Sequence, residues 1–166
     1  IIAVLSHMNI CDQSAAGHQF DNTVQGITAF GPYGGIDHKM PNDFWAATPL
    51  RGSRRAVVSS VAFNPFYGDV NAPDMARLMI LEAVSKQVFA GVDPGDIVLC
   101  DNFYTPRADE AKFAWELKHM VEMCCDVSLQ LQIPFSKAAG LPQSPVLQLS
   151  TEPASLPGAA DPFPKN

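Results

Sequence analysis

The sequence has little charge, no long apolar run and no sizeable basic cluster. Charged residues make up 17% of its 166 residues and apolar residues 47%, which is too apolar for a disordered chain. No segment approaches the ~18 consecutive apolar residues of a membrane-spanning helix. Eleven basic residues against seventeen acidic ones give a net charge of −6, and the basic group at Arg51, Arg54 and Arg55 is short. We therefore expect one globular domain without a membrane or nucleic-acid partner.

The sequence also lacks paired-cysteine motifs. Cys11 and Cys100 stand alone, and the adjacent Cys124 and Cys125 fall in a helix-like segment where neither spacing nor direction favours a disulfide. We expect reduced thiols in a cytoplasmic protein, with no zinc site and no glutaminase nucleophile. Residues 1–5 are apolar but have no charged signal-peptide region, and the chain does not begin with Met, so we interpret it as an excised segment.

Hydrophobic periodicity predicts strands that alternate with helices. The apolar residues between Asp74 and Gly91 fall at helical spacing, and Pro73 and Gly91 mark the two helix ends. This alternation predicts an α/β (α+β) fold, in which a mixed sheet with some parallel pairing packs against helices. The predicted strands are residues 27–30, 55–63, 97–100 and 146–149, and the second predicted helix is residues 108–131.

Composition divides the chain into three parts. Residues 1–26 show no sustained period and are predicted to be an irregular lead-in with one short helix around 12–19. Residues 27–150 carry the predicted strands and helices and form the main domain. Residues 151–166 are rich in proline and are predicted to be a linker or tail, because such a composition cannot build a core.

A polar pair follows the predicted strand at residues 97–100. Asp101 and Asn102 would lie at the carboxyl end of that strand, where α/β sheets place ligands. An Asp-Asn pair is also a common turn that bonds its own backbone, so ligand contact and a simple turn both remain open.

Several motifs, in order and with similar spacing, resemble phosphoribosylformylglycinamidine synthase. The agreement extends across residues 5–150, and each motif alone would be weak. The matching segments are 5–10 (L-S-H-M-N-I against L-S-H-P-N-I), 18–26 (H-Q-F-D-N-T-V-Q-G against R-Q-Y-D-H-E-V-Q-G), 63–69 (F-N-P-F-Y-G-D against I-N-P-R-Y-G-D) and 97–103 (I-V-L-C-D-N-F against I-A-L-L-D-N-F).

The resemblance implies the amino-terminal half of an aminoimidazole-ribonucleotide-synthase-like unit at residues 27–150. In this family a ligase uses ATP and magnesium to join ammonia from glutamine to formylglycinamide ribonucleotide, in a cleft between two halves. The expected ligands are therefore Mg²⁺ and ATP or ADP. The expected partners are the missing carboxy-terminal half, a glutaminase and a second copy or related domain that pairs through the sheet edge.

The resemblance also implies site residues. Asp43 matches the acidic residue of the family's P-S-D-A-A-V segment, and Glu82 matches a helical metal-ligand glutamate. Magnesium accepts such carboxylates, although the same residues fit a solvated loop aspartate and a helix-surface glutamate. Asp101, Asn102 and Lys137 are the expected nucleotide or substrate contacts, with Lys137 as the basic residue of the family's P-F-I-S-G-K-D-S-L turn after a one-residue slip.

Two departures from the family weaken this assignment. Lys86 stands where the family has an asparagine, and an ammonium cannot ligate a metal but can pair with Glu82 at i,i+4. Ala138 and Ala139 replace polar and glycine positions of the phosphate-facing turn. A catalytically degenerate relative, which serves as an assembly or auxiliary nucleotide-binding domain, is therefore the alternative function.

Overall fold

The computed structural model describes residues 1–8, 10–19, 23–136 and 146–152, the last of these as backbone only. Its longest elements are two helices, and its longest strands are three of six or seven residues. In chain order the elements are α1 (Ile2–Leu5), α2 (Ser14–Gln19), β1 (Thr28–Phe30), β2 (Tyr33–Gly34), β3 (Met40–Pro41), β4 (Phe44–Ala47), β5 (Val57–Ala62), α3 (Pro65–Val70), α4 (Ala72–Phe89), a 3₁₀ turn (Pro94–Asp96), β6 (Val98–Tyr104), α5 (Ala111–Leu131) and β7 (Val146–Glu152).

Five strands form one sheet in the order β1-β4-β5-β7-β6, and β2 pairs with β3 separately. The expected parallel pairing between neighbouring strands is wrong for this sheet, because each of its strand pairs is antiparallel. The reason is that β7 lies between β5 and β6 and is antiparallel to both. β5 and β6 therefore point the same way, as a strand–helix–strand connection favours, but they are not neighbours. An isolated bridge between Leu99 and Phe135 is parallel.

Helices α4 and α5 supply one side of the core. Alternate residues of β5 are buried beneath α4, and Ser60 is the polar member of that buried set. Each fully buried Met, Leu or Ile contributes roughly 1.5–3 kcal/mol relative to an exposed position. The core includes Val58 and Ala62 of β5, Met75, Ala76, Met79, Ile80 and Ala83 of α4, Leu99 of β6, and Met120, Cys124 and Val127 of α5.

Two asparagine caps explain where the structure extends the sequence prediction. The segment 64–73, which joins the predicted strand at 55–63 to the first predicted helix and is expected to be a loop, contains α3, because the Asn64 side chain accepts a hydrogen bond from the Phe66 N–H and Pro65 takes the first helical position. Asn71 caps α4 in the same way through the Asp74 N–H, so α4 begins two residues earlier than Asp74.

The ends of the chain differ from its centre. Both α1 and α2 contain no buried residue, and α1 adds a second short helix to the predicted lead-in. β7 continues to Glu152, beyond the predicted strand end at residue 149. The rest of the predicted tail, residues 153–166, lies outside the described residues. Within the described residues, no helix is both long and apolar enough to cross a membrane.

Candidate functional site

The structure brings the two expected metal ligands to one cation, the ammonium of Lys86. Lys86 Nζ lies 2.7 Å from Glu82 Oε1 and 3.9 Å from Asp43 Oδ1. It also donates a hydrogen bond of 3.0 Å to the backbone carbonyl of Val61. Three separate parts of the chain therefore place an oxygen towards the same nitrogen.

Local structure accounts for this convergence. Glu82 and Lys86 are one turn apart on α4, where side chains at i and i+4 are neighbours. In the β4–β5 ladder Phe44 lies opposite Ser60, which places the preceding Asp43 beside Val61. The β4–β5 register positions Asp43 and Val61, and the i,i+4 spacing on α4 positions Glu82 and Lys86, so the four residues lie close together.

A buried polar pair, which sequence analysis missed, fixes α4 against β5 at this point. The Gln87 amide donates a 3.0 Å hydrogen bond to Ser60 Oγ, and the Ser60 hydroxyl donates to the Ala83 carbonyl at 3.1 Å. Both side chains are buried. In the sequence, the only sign of this hydrogen-bonded pair is that a serine and a glutamine occupy positions on the buried faces of β5 and α4.

The residues at this point do not fit a magnesium ion between Asp43 and Glu82. Mg²⁺ requires oxygen donors at about 2.0–2.1 Å and usually one or two carboxylates. Here the Glu82 carboxylate already bonds a positively charged group that has no lone pair to donate. Among the described residues no group of three or more His, Cys, Asp and Glu side chains could hold a metal ion.

Two cavities open beside this cluster and share Asn42, Asp43, Phe44 and Lys86 in their walls. One has a volume of about 400 Å³ and is also lined by β5 residues. The other has a volume of about 500 Å³ and extends to Phe89 at the end of α4. The region therefore has space for a small molecule, with a charged centre and aromatic sides.

Asp101 and Asn102 do not form one site. They lie in the middle of β6 and not at its end, which corrects the predicted strand boundary at residue 100. Successive residues of a strand point to opposite faces of the sheet. Asp101 and the core residue Ala62 are both registered opposite Leu149, so Asp101 faces the helices and Asn102 faces away from them. One ligand cannot contact both side chains on the same face, and ligand contact by either residue stays a prediction.

The two faces give these side chains different surroundings. Burial raises the pKa of the Asp101 carboxyl, and a hydrogen bond from its own backbone N–H partly offsets this. Burial, with smaller contributions from Asp101 and Cys125, raises the pKa of the Cys124 thiol to about 12. On the opposite face Asn102 Nδ2 donates a 2.7 Å hydrogen bond to the Tyr104 hydroxyl. Asn102 Oδ1 is buried without a hydrogen-bond partner among the described residues.

Lys137 is the third expected nucleotide or substrate contact. Lys137 and the neighbouring Ala138 and Ala139 fall outside the described residues, so a role for Lys137 stays a prediction.

Comparison with protein-family models finds no match. Comparison with curated sequences finds similarity to the PurL subunit of phosphoribosylformylglycinamidine synthase. The PurL subunit of Methanothrix thermoacetophila is 27% identical over 168 aligned positions, which cover 99% of this chain and 20% of that protein. The chain spans about a fifth of the length of the curated relatives it matches.

Solved structures of Thermotoga maritima proteins show the same fold. A structure of PurLQS matches with a TM-score of 0.67 and 16% identity, over 93% of this chain and 26% of that one. PurL complexed with AMPPCP matches with a TM-score of 0.65 and 15% identity, over 96% of this chain and 27% of that one.

These matches define the fold first: the chain has the α/β fold, a sheet packed against helices, of Thermotoga maritima PurL, as the sequence patterns predicted. Within that fold, the resemblance to phosphoribosylformylglycinamidine synthase is confirmed, since the curated relatives are its PurL subunit.

Proposed function

We propose that this chain is a segment of an ATP-dependent, phosphoribosylformylglycinamidine synthase-like ligase of purine biosynthesis, in which it forms one wall of a nucleotide-binding cleft. The observation that carries the proposal is similarity to a PurL subunit along 99% of the chain. Complexes of Thermotoga maritima PurL with AMPPCP, ADP and ATP support ATP or ADP as the ligand. A cytoplasmic location accords with this pathway.

The two cavities beside Asp43 are the proposed position of the nucleotide. Their charge makes binding weak, because Asp43 and Glu82 carry two negative charges and Lys86 only one positive charge. A net negative centre repels phosphates at short range, and a magnesium ion that would offset this repulsion does not fit between the carboxylates. Magnesium-dependent nucleotide binding by this chain is therefore expected to be weak.

An NMR titration with ADP in the presence of EDTA tests this position. We expect amide shifts at residues 42–45, 59–61 and 86 that grow with millimolar ADP. Asp43→Asn should strengthen binding because it removes one of the repelling carboxylates, while Asp126→Asn on the exposed surface of α5 should not. Shifts that cluster elsewhere, or none at millimolar ADP, would contradict the proposed position.

The Lys86–Glu82 ion pair favours a second candidate function, a catalytically degenerate relative that serves assembly or auxiliary nucleotide binding. Phosphoryl transfer depends on positioning between two walls. We therefore expect no formylglycinamidine ribonucleotide from ATP, formylglycinamide ribonucleotide and ammonia with this chain alone. If product forms at a rate proportional to the protein concentration and Glu82→Ala abolishes it, the chain is not catalytically degenerate.

The sheet edge at β1 supports a proposal about partners. β1 lies at one end of the five-stranded sheet, and Phe30 on it is an exposed aromatic residue. Exposed edge strands pair readily with another chain. We expect a homodimer, or pairing with a related domain, and a glutaminase partner in the parent enzyme. Light scattering at roughly tens of micromolar chain should give a dimer mass, and a clean monomer would contradict self-association.

A further inference from the structure

We infer that the ammonium of Lys86 is a built-in cation that takes the place of a divalent metal ion between Asp43, Glu82 and the Val61 carbonyl. This inference rests on the proposed function, because only the proposed relation to the synthase leads us to expect a metal ion at this position. The positive charge of Lys86 neutralises the Glu82 carboxylate and faces Asp43, and the chain binds no metal ion at this position.

The number and origin of the oxygen atoms support this role. An ammonium has three N–H donors and no acceptor. Two oxygens lie within hydrogen-bond distance of Lys86 Nζ, from Glu82 at 2.7 Å and from Val61 at 3.0 Å. The Asp43 carboxylate lies at 3.9 Å, beyond hydrogen-bond distance, and its side chain is 81% exposed. The two bonded oxygens come from α4 and β5, so one charge links the helix to the sheet as a bound metal ion would, and the exposed Asp43 carboxylate faces the same charge from the residue before β4.

Comparison with another lysine–glutamate pair shows that the arrangement is more than a surface ion pair. Lys118 and Glu122 have the same i,i+4 spacing on α5 and lie 3.5 Å apart, but the Lys118 side chain is 68% exposed. The Lys86 side chain is only 20% exposed. Lys86 also donates to the backbone of a strand 25 residues away in sequence, whereas an ordinary surface pair is held by its helix alone.

Replacement of the ammonium by a neutral oxygen donor should turn the cluster into a metal site. Lys86→Asn removes the positive charge and leaves two carboxylates, a backbone carbonyl and an amide oxygen in one region. This donor set suits hard divalent cations. The parent chain has the same carboxylates but should not bind such an ion, because the ammonium already bonds Glu82 and repels a second cation.

Electron paramagnetic resonance of free Mn²⁺, without nucleotide or substrate, tests this inference. The parent and the matched control Lys118→Asn should leave the free Mn²⁺ signal equally unchanged. Lys86→Asn should bind about one Mn²⁺ per chain, and Glu82→Gln in addition should weaken that binding at least tenfold. Circular dichroism checks that each variant is folded, and Lys86→Gln replaces Lys86→Asn if the latter is not.

Two results would overturn the inference. One is saturable Mn²⁺ binding by the parent chain that Glu82→Gln abolishes. The other is a folded Lys86→Asn or Lys86→Gln variant that binds no more Mn²⁺ than the Lys118→Asn control. Because no nucleotide is present, failure of this test is separate from failure of the ADP titration, which tests the proposed function.

Discussion

The two regions that carry the expected site residues follow opposite rules of chain geometry. Glu82 and Lys86 are four residues apart on a helix and form an ion pair, and Asp43, the residue before β4, lies 3.9 Å from the Lys86 ammonium. Asp101 and Asn102 are adjacent on a strand and are separated by the sheet. Neighbouring positions in a sequence therefore predict a shared site only after the secondary structure at those positions is known.

The largest expected effect tests the separation of the two faces of β6. Leu99→Ala, on the face packed against the helices, should lower the free energy of unfolding by about 2–5 kcal/mol, because it leaves a cavity at a fully buried position. Val98→Ala on the other face should cost much less. Urea denaturation of both variants measures the difference, and equal losses would mean that the face assignment is wrong.

A smaller effect is expected at the junction that positions Lys86. Ser60→Ala leaves the buried Gln87 amide without its hydroxyl partner, so it should lower the free energy of unfolding by roughly 1–3 kcal/mol. The adjacent Ser59→Ala is the matched control, since Ser59 lies on the opposite face of β5. If both serine variants unfold at the same urea concentration, the Ser60–Gln87 hydrogen bond does not stabilise the fold.

The smallest expected effect depends on pH. Since burial raises the pKa of Asp101 in the folded chain, the folded state binds the proton more tightly than the unfolded state does. Stability should therefore fall as pH rises through the interval between the two pKa values. Asp101→Asn removes this loss and should raise the melting temperature slightly at pH 7, but not at pH 3. A gain of the same size at both pH values would point to a cause other than ionisation.

The sequence was sufficient where one pattern decided the structure. Helical spacing predicted most of α4 and α5, and the i,i+4 rule predicted the Glu82–Lys86 pair. The sequence was insufficient where a segment distant along the chain determines the strand pairing or the packing. The insertion of β7 between β5 and β6 changes every pairing that a strand–helix–strand pattern implies. The Lys86–Val61 hydrogen bond likewise depends on how α4 packs against β5, which no local pattern contains.

In our proposal, Lys86 stands where a metal ion would otherwise bind beside Asp43 and Glu82. The most direct test of this proposal in the presence of nucleotide is the shift in melting temperature caused by ATP with magnesium in the parent and in Lys86→Asn. A ligand at about 100 times its dissociation constant stabilises a fold by ~2.7 kcal/mol. We expect a clearly larger shift in Lys86→Asn than in the parent chain. Equal shifts, or a large magnesium-dependent shift in the parent chain, would contradict it.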